Sequence, residues 1–366
     1  MNILIFRTGQ LGDTLVSLPA IRRIKEAYPE ASLYLLYAHH TGKKYVAPPA
    51  LLEGAHLFSG FIEYPVGESL TGRLKALADR VRLIFKLRSY RFHKVFHLEP
   101  SYKTPLQLRR DKAFFRLAGV SEQVTTLQYR SPVDSKRPLA AQEHETDFFI
   151  RALSSQGIPI FERSDNPMDL GLGAEETEEV RCWLTSESAL SQIKYQDGRL
   201  PLNAIGVGLG SKMQSKRWPL ERYRDVLRRL IEDHELVPVF FGGEEDRSIA
   251  DQMMTDLGCG LNACGRLSLR GAARALEECQ LYLGNDTGTM HLAVAAGIPC
   301  VAIFSARDYP GKWYPYGEYH RVHRVAVDCE GCMLLECHEQ GRKCLMAISP
   351  DQVYASCVET LQITDE

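Results

Sequence analysis

The chain carries almost no net charge, −2 over 366 residues, which sets aside a dedicated nucleic-acid binder. It has no apolar run of about 18 residues, so no membrane-spanning helix is expected. The longest candidate, residues 292–306, is broken by Gly297 and Pro299. The opening Met1-Asn2-Ile3-Leu4-Ile5-Phe6 has no basic stretch before its apolar run stops at Arg7. No export leader is therefore expected, and the protein is expected in the cytoplasm. There is no GxxxxGK[ST] loop and no sound dinucleotide fingerprint. Gly206, Gly208 and Gly210 have the wrong spacing for one, and no helix follows directly. Internal repeats and low-complexity segments are also missing. Ten cysteines are present, but in a cytosolic chain they do not make a disulfide framework.

What is present is the composition of an ordinary soluble globular protein, 45% hydrophobic and 25% charged. The length suits two domains of about 150 residues each. The charge is uneven. Between Thr71 and Val120 thirteen Lys and Arg face only Asp79, Glu99 and Asp111. Such a face can gather anionic partners or dock on an anionic membrane surface, although a solvated helix face would read the same way. Four cysteines cluster as Cys329-x2-Cys332-x4-Cys337-x6-Cys344. Spacing this tight suggests a metal site, without matching a paired CxxC zinc pattern.

Apolar runs predict strands at residues 2–6, 32–37, 94–98, 203–207, 237–241, 281–283 and 299–304. Helices are predicted from Asp13, over 71–85, 104–117, 143–156, 219–234, 268–279 and 287–296, and after Pro350. Strands alternating with helices in this way predict two doubly wound α/β domains with a cleft between them. The acidic, irregular stretch 161–202 holds the boundary, placed between residues 175 and 176. The tail 350–366 is expected to be a helix able to cross back to the first domain.

In open α/β sheets ligands bind where strand ends turn into helices. After the first strand comes Gly9-Gln10-Leu11-Gly12 and then Asp13, whose carboxylate suits a helix cap. The loop 208–218 has Ser211 and Lys216, which suit a phosphate. Gly242-Gly243-Glu244-Glu245-Asp246 offers Glu244 and Asp246 either to ribose hydroxyls or to a helix dipole. The string Asp286-Thr287-Gly288-Thr289-Met290-His291 places a helix N-terminus, a natural anion site, after a buried strand.

The longer run G-N-D-T-G-T-M-H-L-A-V-A-A-G-I-P-C-V-A-I-F, from Gly284, closely resembles the donor-site signature of glycosyltransferase family 9, the ADP-heptose:lipopolysaccharide heptosyltransferases and their relatives. The resemblance extends to I-L-I-F-R-T-G-Q-L-G-D-T-L-V-S-L-P-A-I at the N-terminus and to His144-Glu145-Thr146-Asp147. It also covers Ser211…Lys216-Arg217-Trp218-Pro219 and Trp313-Tyr314-Pro315-Tyr316-Gly317. It implies a GT-B fold, with residues 1–175 binding the acceptor and 176–349 the nucleotide sugar. On that resemblance Asp286, Thr287, Gly288 and His291 bind the donor diphosphate and sugar. Ser211 and Lys216 meet the phosphates, Glu244 or Asp246 the nucleoside, and Asp13 becomes the catalytic base. Arg7, Gln10, Arg109 and Arg110 fall to an anionic glycolipid acceptor, with peripheral contact at the inner membrane. The reaction implied is an inverting transfer without a cofactor, in keeping with the missing D-x-D motif. The cysteine cluster resembles a pattern in part of the family, which adds a structural zinc or iron at Cys329, Cys332, Cys337 and Cys344.

Two departures bear on the substrates. Gln10 stands where lipopolysaccharide-core members often have a small hydroxyl residue. Ser305-Ala306-Arg307-Asp308-Tyr309-Pro310 replaces the common F-G-P-T-D-P continuation, so another sugar or a protein acceptor stays open. The competing readings are a GT-B-like epimerase or hydrolase and a non-catalytic nucleotide-sugar-binding subunit.

Overall fold

The computed structural model describes residues 1–40, 46–66, 70–98, 104–126, 136–159, 167–188 and 198–364. The chain forms two compact units, Met1–Pro132 with Glu145–Gly171 and Val133–His144 with Leu172–Glu366. The division is not a single cut. A short segment ending at His144 leaves the first unit for the second, and the chain then returns. Within the second unit, Gln142 N–H donates to Pro310 O at 2.7 Å and Leu139 N–H to Glu330 Oε1 at 2.6 Å. No composition shift marks such an excursion. Of the expected irregular stretch 161–202, residues 161–166 and 189–197 lie outside the described residues, and Ala174–Ser188 forms a helix.

The first unit is built on one parallel sheet of β1 (Asn2–Arg7), β2 (Ser32–His40), β3 (Gly60–Val66), β4 (Lys94–His97) and β5 (Glu122–Thr125). Its order is β3-β2-β1-β4-β5. Because helices cover both faces of a parallel sheet, its central strand is apolar between Asn2 and Arg7, and Ile3, Leu4, Ile5 and Phe6 are fully enclosed. The sequence reading missed β3 and β5. Glu63 and Pro65 interrupt β3, and β5 opens on the polar Glu122 and Gln123, so neither edge strand reads as an unbroken apolar run.

The second unit contains β6 (Ala204–Gly208), β7 (Val237–Phe240), β8 (Leu261–Asn262), β9 (Tyr282–Asn285), β10 (Cys300–Ile303) and β11 (Arg321–His323). They form a six-stranded parallel sheet in the order β11-β10-β9-β6-β7-β8. The short β8 and β11 were again missed. The tail helix Pro350–Thr364 packs within this unit. Its Val353, Cys357 and Leu361 join the core formed with Tyr223, Leu230 and Val301. No helix among the described residues is long and apolar enough to cross a membrane.

Candidate active site

Each sheet has a point where the strand order reverses, and the carboxyl ends there are where ligands are bound. In the first unit that point lies between β1 and β4. Arg7 ends β1 and is buried, its guanidinium 5.2 Å from the Phe149 ring centroid. Arg7 Nη1–H donates to Leu98 O just beyond β4, at 2.9 Å. Its Nε and Nη2 donate to Asp13 O at 3.0 and 2.9 Å, and Nη2 lies 3.4 Å from Asp13 Oδ1. The other carboxylate oxygen of Asp13 accepts the Gln10 N–H at 2.7 Å, one arm of a capping box on the helix Leu11–Leu15. Gly9 has φ +153°, and a Cβ there would meet the Asp13 side chain within 2.5–2.8 Å. Only glycine lets the loop close this tightly over the carboxylate.

Asp13 is therefore a cap and a positioned, 19% exposed carboxylate at once. Arg7, expected to contact an acceptor, is enclosed and holds backbone carbonyls and Asp13 in place. Gln10 is exposed at the loop tip, and Arg109 and Arg110 are exposed on the helix Pro105–Leu117. Arg110 pairs with the buried Asp111 at 3.0 Å.

In the second unit the order reverses between β6 and β9, so Gly208 and Asn285 face one crevice. Lys216, in a short 3-10 turn, sets its Nζ 2.6 Å from Asp286 Oδ2. Their side chains are only 16% and 8% exposed. Asn285, to which the sequence alone assigns no role, joins the two loops. Its Oδ1 accepts Trp218 N–H at 3.0 Å and its Nδ2 donates to Leu209 O at 2.9 Å. A buried asparagine closing an otherwise apolar strand was the available signal. Ser211 accepts Met213 N–H at 3.2 Å through its hydroxyl, and its carbonyl takes the Arg217 Nε–H at 2.7 Å.

Thr287 precedes the helix Gly288–Ala295 in extended conformation, without a side-chain cap bond. The first-turn N–H groups of this helix have no partner within the helix itself. His291, on its second turn, is buried, and its Nδ1 has no hydrogen-bond partner. Burial first, then the nearby His144, Lys216 and His320, push its pKa down to about 3. It is a neutral imidazole at any working pH, able to hydrogen-bond without adding charge. His144 belongs to the same unit. Its Nε2 lies 2.9 Å from Tyr314 O and its ring centroid 4.9 Å from that of Tyr316. His320 Nδ1 accepts Cys300 N–H at 3.0 Å, so its proton sits on Nε2, toward Tyr316 O at 3.2 Å.

The acidic loop after β7 splits its two candidates. Asp246 Oδ2 accepts Gly243 N–H at 3.0 Å, and a side chain at Gly210 or Gly242 would run into its carboxylate. Asp246 thus helps seat the phosphate-type loop against this one. Glu244 is more exposed and pairs with Arg247 at 2.7 Å. The atypical Ser305–Pro310 loop turns its charge inward. Arg307 is buried, donating from Nε to Leu334 O at 2.8 Å and from Nη2 to Met333 O at 2.7 Å.

That bond network carries the cysteine loop. Cys329, Cys332, Cys337 and Cys344 line one small cavity with Ser215, Ser305, Arg307 and Lys343. All four are free thiols, and burial pushes the Cys329 thiol up. Among the described residues no three His, Cys, Asp or Glu side chains are arranged to hold a metal ion. The set shares a cavity but does not converge as ligands.

Two parallel-sheet α/β units, each with its polar loops at strand carboxyl ends, define the GT-B architecture of glycosyltransferases. The sequence profile of glycosyltransferase family 9 (heptosyltransferase) matches residues 80–343, and the chain belongs to that family. It is 22% identical over 364 residues to lipooligosaccharide heptosyltransferase 2 of Campylobacter jejuni, with 96% of each chain covered. Among solved structures, a family 9 glycosyltransferase from Veillonella parvula aligns with a TM-score of 0.75 at 20% identity, over 99% of this chain and 97% of that one. ADP-heptose lps heptosyltransferase II of E. coli aligns with a TM-score of 0.69 at 19% identity, over the full length of both. The chain is accordingly a glycosyltransferase enzyme.

Proposed function

We propose that this enzyme is an inverting, metal-independent transferase moving a heptose from ADP-heptose to a lipopolysaccharide-core acceptor. The observation that carries the reading is the Lys216–Asp286 pair beside the uncapped start of the helix Gly288–Ala295. A cation and free N–H groups there suit a departing diphosphate, and the names of the relatives supply the ADP-heptose and the acceptor class.

In this reading Asp13 takes the proton from an acceptor hydroxyl as its oxygen attacks the anomeric carbon. The bond from that carbon to the diphosphate oxygen breaks, and the electron pair leaves on the diphosphate. A single displacement of this kind inverts the anomeric centre. Lys216, the Thr287–Gly288 helix end and Ser211 receive the developing charge. Asp286 accepts hydrogen bonds only, so it suits a sugar hydroxyl and the positioning of Lys216 rather than a phosphate oxygen. Neutral His291 offers its free Nδ1 to the sugar or the phosphates without changing the charge balance. In this reading Glu244 accepts from a ribose hydroxyl, with Asp246 shaping the loop behind it. Arg7 orients Asp13, while Gln10, Arg109 and Arg110 are the side chains offered to an anionic glycolipid at the inner-membrane surface.

A panel of nucleotide sugars tests the donor through protection against thermal unfolding. ADP sugars are expected to stabilise the protein, by about 2.7 kcal/mol at a hundredfold excess over Kd, and UDP sugars or NAD to leave it unchanged. Protection by NAD alone would sink the reading. Turnover of the donor without an acceptor would favour an epimerase or hydrolase.

The four-cysteine loop is the remaining candidate for a structural zinc or iron. Because its thiols border a cavity without converging, we read them as reduced thiols packing the loop, and no step runs through them. Elemental analysis of purified protein is expected to find zinc and iron far below one atom per chain. A full equivalent of either would restore the cluster as a metal site.

A further inference from the structure

The glycines of β6, wrongly spaced for a dinucleotide fingerprint, house a single side chain. Tyr282 opens β9 beside Gly206, and Gly284, on the same face of the sheet, stands beside Gly208. The tyrosine ring lies along this bare lane. A Cβ at Gly206 would meet the ring at 3.3 Å, and one at Gly284 would meet the ring and its hydroxyl at 2.5–2.7 Å. A Cβ at Gly208 would collide with the phenol oxygen itself. Three glycines thus deliver the Tyr282 hydroxyl to the carboxyl ends of β6 and β9, where the strand order reverses and ligands bind.

That hydroxyl is fully buried and has no hydrogen-bond partner among the described residues. Burial pushes its pKa far up, so it stays a neutral donor at any working pH. A buried donor without an acceptor lowers the stability of a fold, and phenylalanine would fill the same lane without that cost. The hydroxyl is therefore suited to a state in which an acceptor faces it. The Thr287 hydroxyl lies within reach, though the two are not aligned as a bond. Thr287 is half-buried, and its side chain does not cap the helix Gly288–Ala295.

We propose that Tyr282 is a positioning residue for the donor diphosphate, acting through Thr287. A threonine hydroxyl has one proton, and donating it to a phosphate oxygen leaves lone pairs that face the protein. Tyr282 Oη–H then donates to Thr287 Oγ1, fixing the threonine in the rotamer that serves the ligand and strengthening its bond to the anion. The inference rests on the reading that the Thr287–Gly288 helix end receives a diphosphate.

Tyr282→Phe tests it, with ADP as the ligand in calorimetric titrations. The variant keeps the ring and removes only the hydroxyl, so without ligand its melting temperature is expected to equal or exceed the parent's. Its affinity for ADP is expected to fall by about fivefold to tenfold. That loss should vanish in a Thr287→Val background, where the acceptor is already gone. A Tyr282→Phe protein that binds ADP as the parent does would overturn the inference and leave the donor reading standing. A parent that does not bind ADP would overturn both. A variant that melts well below the parent would assign the hydroxyl to the fold alone. A loss undiminished beside Thr287→Val would break the route through Thr287.

Discussion

Asp13→Asn is expected to lower the transfer rate by about 10²–10⁴-fold while leaving ADP binding intact. Asparagine is nearly the shape of aspartate, and its carbonyl oxygen can still accept the Gln10 N–H that Asp13 Oδ2 accepts at 2.7 Å. The capping role survives, and Arg7 keeps Asp13 O and Leu98 O as acceptors. What is lost is the lone pair able to take a proton. Asp13→Ala would confuse the result, because it also removes the cap, at a cost of about 1 kcal/mol, and leaves space beneath the Gly9 loop. The measurement is a single-turnover rate on donor and acceptor, beside ADP-induced thermal protection. An Asp13→Asn enzyme that turns over at the parental rate would show that the carboxylate serves the fold alone.

Lys216→Ala is expected to weaken both the donor complex and the second unit. Lys216 and Asp286 are 70 positions apart, and the neighbouring strands β6 and β9 bring them to 2.6 Å. Removing the lysine strands a nearly buried carboxylate, which costs about 3–5 kcal/mol in a fully enclosed pair. The 16% exposure left to Lys216 lets water soften that toward about 2–3 kcal/mol. The unpaired Asp286 charge would also repel a diphosphate, so kcat/KM should fall by about 10²–10³-fold. The double variant Lys216→Met, Asp286→Asn separates the two effects. With no stranded charge its melting temperature should recover much of the loss, while transfer stays slow. A Lys216→Ala protein that melts and binds ADP like the parent would remove the pair from the site.

Much of the core architecture was legible in the chain because parallel strands buried on both faces are written as continuous apolar runs. Asn2–Phe6, Val237–Phe241 and Pro299–Phe304 could be read within a residue or two of β1, β7 and β10. Edge strands have no such signature. β3 is interrupted by Glu63 and Pro65, β5 opens on Glu122 and Gln123, and the short β8 and β11 have too few residues for a period to appear. The candidate site was legible where one loop holds several polar residues in a row, as in Asp286–His291, and at Asp13. It was not legible where a side chain acts on a loop remote in sequence. Asn285 tying Trp218 and Leu209, Arg7 holding Leu98, and Arg307 turned into the cysteine loop are all of that kind.

By itself the sequence determined the α/β class, the strand-end loops and the family resemblance, since these depend on local period and on residues adjacent in the chain. Tertiary structure alone decided which candidates are exposed and which are structural. Arg7 is enclosed, Asp246 and Asp13 cap loops, and His291 is neutral. The physical reason is that solvation and pairing are set by whatever lies opposite a side chain in space, and in a parallel sheet that neighbour comes from a strand a whole crossover away.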